Sequence, residues 1–190
     1  MIRLMMPIPR IAPSALARAL PAVLAIAMVA CDSTPPPPKS AAAPGEWREF
    51  EGSWNAAGSR HSIPLGPGRK GSIIELRGTM LLAGPGRPGV GFQANAIGLV
   101  DSATGLVGRS VWTDEHGDQV FSEIKGEGTA DRNHIAGTIF GGTGRYAGAT
   151  GTYEFSWQFV IEAEDGSIQG RAVGLKGRVR SGAVAGGAPQ

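Results

Sequence analysis

From Glu46 onward, apolar residues recur at every second position, and no stretch shows the spacing of an amphipathic helix. The clearest run is TYEFSWQFVIE at 152–162. Its apolar positions alternate with mostly polar ones: Tyr153, Phe155, Trp157, Phe159 and Ile161. Such alternation places the two sets on opposite faces of a half-buried strand. The runs SIIELRGTMLL at 72–82 and GFQANAIGLV at 91–100 alternate in the same way and predict two more strands.

Short segments rich in Asp, Asn, Gly and Ser separate such runs and predict tight turns. They are DSATG (101–105), DEHGD (114–118), ADRNH (130–134) and EDGS (164–167). The Asp165-Gly166 pair is the strongest hairpin signal among them. The pattern gives about eight or nine strands with mostly antiparallel connections. We therefore predict an all-β domain at 46–180: a single antiparallel, calycin-like barrel of eight strands or nearly so, closed or partly closed. Two stacked sheets are the alternative.

The first 30 residues have the pattern of a secretory leader. Arg3, Arg10 and Arg18 accompany an apolar stretch at 19–30 that is too short for a permanent membrane span. The sequence MVAC at 28–31 resembles a bacterial lipobox, in which the cysteine is linked to diacylglycerol and becomes the mature N-terminus. Residues 1–30 are therefore predicted to be a lipoprotein signal peptide and Cys31 the lipid attachment site. The alternative is that Cys31 is a spare residue near an ordinary cleavage site.

Two features around Cys31 favour lipidation. It is the only cysteine, so it has no partner for an intramolecular disulfide. The Pro- and Ala-rich stretch at 31–45 is typical of a flexible linker that holds a domain away from a surface. We expect anchoring in the bacterial cell envelope, facing the periplasm, and Asp32 resembles a signal for retention at the inner membrane. Residues 181–190 are predicted to form a disordered tail.

The charge distribution argues against nucleic acid as a partner. The chain has net charge +2 and a sequence pI of about 9.0. The leader holds three of the 18 basic residues and none of the 16 acidic ones, so the remainder has net charge −1. A nearly neutral body lacks the broad positive field that attracts phosphate backbones.

The segment GGTGRYAGATG at 141–151 raises the question of phosphate binding. Gly142, Gly144 and Ala147 fit the loose pattern G-x-G-x-x-A, but a dinucleotide site needs a helix after the loop, and a strand follows here. Arg145 is not placed as the lysine of a Walker loop. We interpret the glycines as structural turn residues that permit close backbone approach: Gly141, Gly142, Gly144, Gly148 and Gly151.

The longer segment IFGGTGRYAGATGTYEF at 139–155 resembles the signature of the allene oxide cyclase-like and dirigent-like barrels. This resemblance implies an eight-stranded antiparallel barrel built around a cavity. The best-known members guide cyclisation or radical coupling of apolar substrates. The resemblance carries the fold to this chain but no catalytic residue, because fold alone does not supply function.

No residue pattern identifies a catalytic or metal centre. The histidines lie in separate segments without zinc-ligand spacing, and no G-x-S-x-G motif is present. Polar residues within otherwise apolar strands are candidate polar groups of a barrel cavity: Glu75, Arg77, Gln93, Asn95 and Glu123. The alternative places them on the solvated outer face, which is the usual position of opposite charges two residues apart on a strand.

Three functions follow from this sequence. The first is a lipid-anchored envelope protein whose barrel binds a small apolar ligand or serves as a scaffold. The second is a cyclase- or isomerase-type enzyme that acts on an apolar substrate in the cavity. The third is an envelope interaction module with a fully packed barrel. No cofactor motif is present in the sequence, and the expected partners are the membrane, through Cys31, and a small apolar ligand.

Overall fold

The computed structural model describes residues 45–127 and 134–182. The predicted leader, Cys31 and most of the linker lie outside the described residues, as do most of the ADRNH turn and the tail from 183 onward. Eight strands are formed: β1 (Arg48–Gly66), β2 (Arg69–Ala83), β3 (Gly91–Asp101), β4 (Gly105–Thr113), β5 (Gln119–Gly126), β6 (His134–Gly142), β7 (Thr150–Glu162) and β8 (Ser167–Arg180). A single 3-10 turn, Gly144–Tyr146, interrupts the strands described. Within the described ranges, no helix is both long and apolar enough to span a bilayer.

The strands close into one antiparallel barrel in chain order. Each strand pairs with its sequence neighbours, and β8 pairs with β1, so the sheet has no free edge. Closure satisfies the backbone hydrogen-bonding groups that two stacked sheets would leave at their edges. The predicted all-β, eight-stranded antiparallel barrel is therefore confirmed, and it is closed.

Alternation along the strands places the large apolar side chains inside. On β7, Tyr153, Phe155 and Trp157 are buried, while Thr152, Ser156 and Gln158, which lie on the opposite face, are exposed. The interior is rich in aromatic rings that meet at tilted or edge-to-face angles, as in the pair of Trp112 and Tyr153 at 4.9 Å. Burial of these side chains supplies the main free-energy term that favours folding.

One residue departs from the predicted alternation. Ile161 was expected to share the inward face with Tyr153, but it is 45% exposed. The pairing of β7 with β8 shifts register between Phe159 and Ile161, so Val160 is an extra residue in the strand. A bulge of this kind reverses the face on which the following side chains lie.

Candidate functional site

The glycine-rich segment forms a compact cap at one end of the barrel, which we call the plugged end; the turns at 114–118 and 143–149 lie there. Backbone hydrogen bonds from Tyr146 to Thr143 (2.8 Å) and from Ala149 to Tyr146 (2.9 Å) define the turn. Gly144 has φ +49°, and a Cβ there would overlap the Asp118 carboxylate. The Arg145 amide donates to Asp118 Oδ2 (3.2 Å), so it already has an anionic acceptor. The segment connects β6 to β7, and β7 follows it where a phosphate site would need a helix.

Of the five glycines predicted as turn residues, Gly144 and Gly148 lie in the turn, whereas Gly141, Gly142 and Gly151 lie in the strands. The close backbone approach predicted for Gly141 is wrong, because a Cβ there would meet no atom within 4 Å.

A buried carboxylate ties this cap to the neighbouring turn. The Asp114 side chain is 1% exposed, and Arg145 Nε lies 3.1 Å from its Oδ2. Asp114 Oδ1 accepts from the amides of His116 (2.7 Å) and Asp118 (3.1 Å). Burial by itself would raise the pKa of Asp114. The hydrogen bonds from the His116 and Asp118 amides, together with the Arg145 charge, outweigh it and lower that pKa below its ordinary value.

The neighbouring turn brings together three atoms that could act as metal ligands, all within 4.8 Å of one another. They belong to Asp114, Glu115 and His116. This juxtaposition was not predicted from the sequence. Because Arg145 already pairs with Asp114 (3.1 Å) and Glu115 (3.5 Å), a cation would have to compete with a guanidinium there. The cluster is therefore an ion-pair network that holds the two turns together.

A hydroxyl network fills the middle of the barrel. The Tyr153 and Ser122 hydroxyls are 2.7 Å apart, and Trp112 Nε1 donates to Ser110 Oγ at 2.8 Å. Burial raises the pKa of Tyr153 to about 12, so its phenol is neutral at physiological pH. These hydroxyls satisfy buried polar groups and lie outside the lining of the cavity described next.

The opposite end of the barrel, which we call the cavity end, contains a cavity of about 190 Å³. The turns at this end are 66–69, 102–104 and 163–166. One wall is aromatic and comes from β1 and β7: Trp54, Phe155, Trp157 and Phe159. The facing wall is aliphatic and comes from β2 to β6: Ile74, Leu76, Val100, Leu106, Ile124 and Ile135. The interior is therefore divided into a packed half and a half that can accept a small molecule.

Few polar groups reach this cavity. The Ser72 hydroxyl lies 2.7 Å from Ser62 Oγ and is thus already hydrogen-bonded. Arg60 lies over the Phe159 ring, with Cζ 5.7 Å from the centroid, and its Nη1 is 2.6 Å from Glu162 Oε1. Within the described part of the chain, Arg60 and Glu127 are the charged residues of the lining. Neither residue is identifiable as a lining residue from the sequence, because neither lies in an alternating apolar run.

The five polar residues considered as cavity groups lie on the outer face of the barrel: Glu75, Arg77, Gln93, Asn95 and Glu123. Arg77 Nη2 is 2.9 Å from Glu75 Oε1, and Glu123 Oε1 is 2.9 Å from Arg109 Nη2. The cavity interpretation of these residues is wrong, because the positions that alternate with them hold the inward-facing side chains: Leu76, Ala94 and Ile124. The solvated outer face, which was the alternative, is where they lie.

A wider depression of about 630 Å³ lies on the outside of the barrel, across β6, β7, β8 and β1. Gly137 and Gly177 form part of its floor, and charged side chains surround it. Two of these, Lys176 and Glu154, pair with each other at 3.0 Å. Because this depression is more open and is lined by charged side chains, the apolar cavity at the cavity end is the better candidate for a ligand site.

The cavity follows from the small size of several inward-facing residues, and no sequence motif indicates it. On β8, the small residues Gly170 and Ala172 lie opposite inward aromatic side chains of β7 and leave room for the rings. Ala96 and Gly98 on β3 leave further space at the same end.

Comparisons with protein-family models, with curated proteins and with solved structures found no match to this chain.

Proposed function

We propose that this protein is a lipid-anchored envelope protein whose barrel binds a small apolar ligand in the cavity at the cavity end. The observation that carries this proposal is the cavity of about 190 Å³ between an aromatic and an aliphatic wall. An apolar cavity of about 150 Å³ in another protein binds benzene, so the volume here suits a ligand of on the order of ten non-hydrogen atoms. The resemblance to allene oxide cyclase-like and dirigent-like barrels supports the same reading.

Binding is proposed ahead of catalysis because of the groups in the lining. A cyclase or isomerase would need a side chain positioned to move a proton within the cavity. The buried carboxylate of Asp114 lies at the plugged end, away from the cavity. Among the described residues, the charged side chains that line the cavity and could move a proton are Arg60 and Glu127. Arg60 is held by Glu162 at 2.6 Å. The fully packed module is disfavoured by the cavity itself.

A cavity-filling substitution tests ligand binding. Ala96 faces inward on β3 and lines the cavity, so Ala96→Leu places a larger apolar side chain in the ligand's position. With p-xylene at about ten times its dissociation constant, we expect the unfolding midpoint of the natural chain to rise by about 3 °C. The Ala96→Leu variant should show no such shift.

The matched control is Ala57→Leu, which adds the same side chain on the exposed outer face of β1. It should retain the shift produced by p-xylene. An equal shift in the natural chain and in both variants would place binding elsewhere and contradict the proposal. A natural chain that does not respond to p-xylene or to a series of similar apolar molecules would contradict it as well.

The anchor is tested at Cys31, which lies outside the described residues. We expect the natural protein to fractionate with membranes and to carry the mass of the attached lipid. Cys31→Ser removes the thiol that forms the thioether, so the variant should leave the membrane fraction or accumulate with its leader attached. Unchanged fractionation and mass would rule out the anchor without affecting the ligand-binding proposal. Separation of inner and outer membranes then tests the expectation based on Asp32.

A further inference from the structure

Four aliphatic side chains lie side by side on the outer face of β2, β3 and β4, and we call them the aliphatic patch. They are Ile73 (62% exposed), Ile97 (59%), Leu99 (60%) and Val107 (57%). Ile73 pairs with Leu99, and Leu99 pairs with Val107, so three of them form an unbroken row across the strands. Single exposed apolar side chains are common on protein surfaces, whereas a contiguous group marks an interaction site.

The closed sheet restricts how a partner can bind here. Because β8 pairs with β1, the barrel offers no free edge to which a partner could add a strand. A partner must therefore pack against side chains of the outer face.

Charges of opposite sign flank the patch in direct register. Glu75 of β2 pairs with Ile97, and Ile97 pairs with Arg109 of β4, so this row reads acid, aliphatic, base. Both charged side chains are about half exposed, and each has one partner in its own chain: Arg77 and Glu123, both at 2.9 Å. A carboxylate can accept from a second guanidinium, so both charges remain able to bind a further group.

This composition does not suit a lipid surface. An anionic membrane attracts surfaces with an excess of cations, and its interface favours tryptophan and tyrosine. The patch itself is aliphatic, and each cation beside it is matched by an acid. It therefore suits a protein surface that carries the same elements in reverse order.

A two-fold axis parallel to β3 makes the patch complementary to itself. When a second copy is rotated by half a turn about this axis and placed face to face, β3 meets β3 and β2 meets β4. Glu75 then lies opposite the partner's Arg109, and Ile73 lies opposite the partner's Val107. The strands of the two faces stay aligned, as in ordinary sheet-on-sheet packing.

The same axis keeps the beginnings of both barrels on one side of the assembly. β1 begins at Arg48, which pairs with Val179 near the end of β8, at the plugged end. An axis parallel to the strands leaves both plugged ends on the same side, whereas an axis across the strands would put them on opposite sides. Both copies of the proposed anchor at Cys31 could then enter one membrane.

We propose that the aliphatic patch is a two-fold interface with a second copy of this chain, in which Glu75 of each copy pairs with the partner's Arg109. Burial of the aliphatic side chains provides the affinity, and the opposite charges fix the register. This inference goes beyond the ligand-binding function and does not depend on it.

Disulfide cross-linking of the full chain tests which face meets the second copy. Leu99 lies on the proposed axis, so Leu99→Cys brings two thiols together. In cells treated with a thiol oxidant, it should give a covalent dimer that reduction separates. The matched control is Ser156→Cys, an exposed position on β7 at the far side of the barrel. It should give no more dimer than the natural chain, whose Cys31 sets the background, and equal yields from the two variants would overturn the interface.

Charge reversal tests the register. In the Leu99→Cys chain, Glu75→Arg alone and Arg109→Glu alone each place like charges opposite one another, so the yield of covalent dimer should fall about tenfold. Both reversals together restore opposite charges between the copies, and the yield should return to within about twofold of that of Leu99→Cys alone. The pairs with Arg77 and Glu123 within each chain stay broken in the double variant, so recovery reports the contact between copies. Absence of recovery would overturn the two-fold arrangement.

The natural chain gives a readout that needs no covalent link. Sedimentation equilibrium of the purified full chain, reduced and in a density-matched detergent, should give the protein mass of two chains. Leu99→Glu places a charge in the centre of the patch and should give the mass of one chain. A one-chain mass for the natural chain at micromolar concentration would overturn the proposal. A mass raised by a different protein, which Leu99→Glu releases, would also overturn the assignment to a second copy.

Discussion

Replacing Gly78 with alanine is expected to lower the free energy of unfolding by about 3 kcal/mol or more. Gly78 lies on β2 opposite Ala56 of β1, where the two strands approach closely. A Cβ at Gly78 would overlap the Asn55 carbonyl oxygen and lie 2.6 Å from the Ala56 Cα atom. Both obstacles are backbone atoms, so relief requires the β1–β2 ladder to separate.

Gly141→Ala provides the matched control in a urea-denaturation experiment. Gly141 also lies within a strand, β6, but the Cβ that alanine adds there would meet no atom within 4 Å. Its φ is outside the positive region, so alanine is tolerated by the backbone. We expect its free energy of unfolding to change by less than about 0.5 kcal/mol. Equal effects of the two substitutions would show that the close strand approach at Gly78 is not as described.

Replacing Asp114 with alanine should lower the free energy of unfolding by about 3 kcal/mol. The substitution removes the acceptor of the His116 and Asp118 amides and the buried one of the carboxylates that pair with Arg145. The matched comparison is Glu123→Ala, which removes an exposed carboxylate paired with Arg109 and should have a much smaller effect. If both substitutions destabilise the barrel equally, the cap at the plugged end is not stabilised by Asp114.

The same carboxylate gives an expected pH dependence. The pKa of Asp114 is lower in the folded chain than its ordinary value of 3.8. Its ionisation therefore stabilises the folded state fully above that value, and the contribution is lost as pH falls through the lower, folded-state pKa. Asp114→Asn removes this titrating group, so its free energy of unfolding should decline less between neutral pH and about pH 3 than that of the natural chain. Parallel pH profiles would contradict the role assigned to the charge.

Alternation predicts most of the barrel because each strand has one face in the core and one in solvent. TYEFSWQFVIE identifies β7 without any comparison, and its first four apolar residues do line the interior. The exposure of Ile161 could not be predicted from alternation, because the bulge before it depends on the pairing of β7 with β8 and not on the sequence of β7 alone. The plugged end was likewise predictable as a turn, whereas its link from Arg145 to Asp114 requires two turns distant in sequence to meet.

The candidate site was less accessible to sequence reasoning. Glu75 and Glu123 are charged residues in apolar runs, but the positions that alternate with them hold the buried side chains, Leu76 on β2 and Ile124 on β5. The location of the cavity depends on the total volume of inward residues from all strands at each level of the barrel. Small residues such as Gly170 and Ala96 matter only once the register places them beside Trp157 and Leu76.

Native mass spectrometry of the full chain, purified gently from its natural membrane or soluble fraction, tests the ligand-binding claim most directly. Ala96→Leu is prepared in parallel because it fills the cavity. The natural chain is expected to carry an additional small mass that leaves on denaturation, and the variant should lack it. Addition of p-xylene to the natural chain should give a one-to-one complex if the original ligand has been lost. A natural chain that neither carries such a mass nor forms a complex with p-xylene or similar apolar molecules would contradict the account.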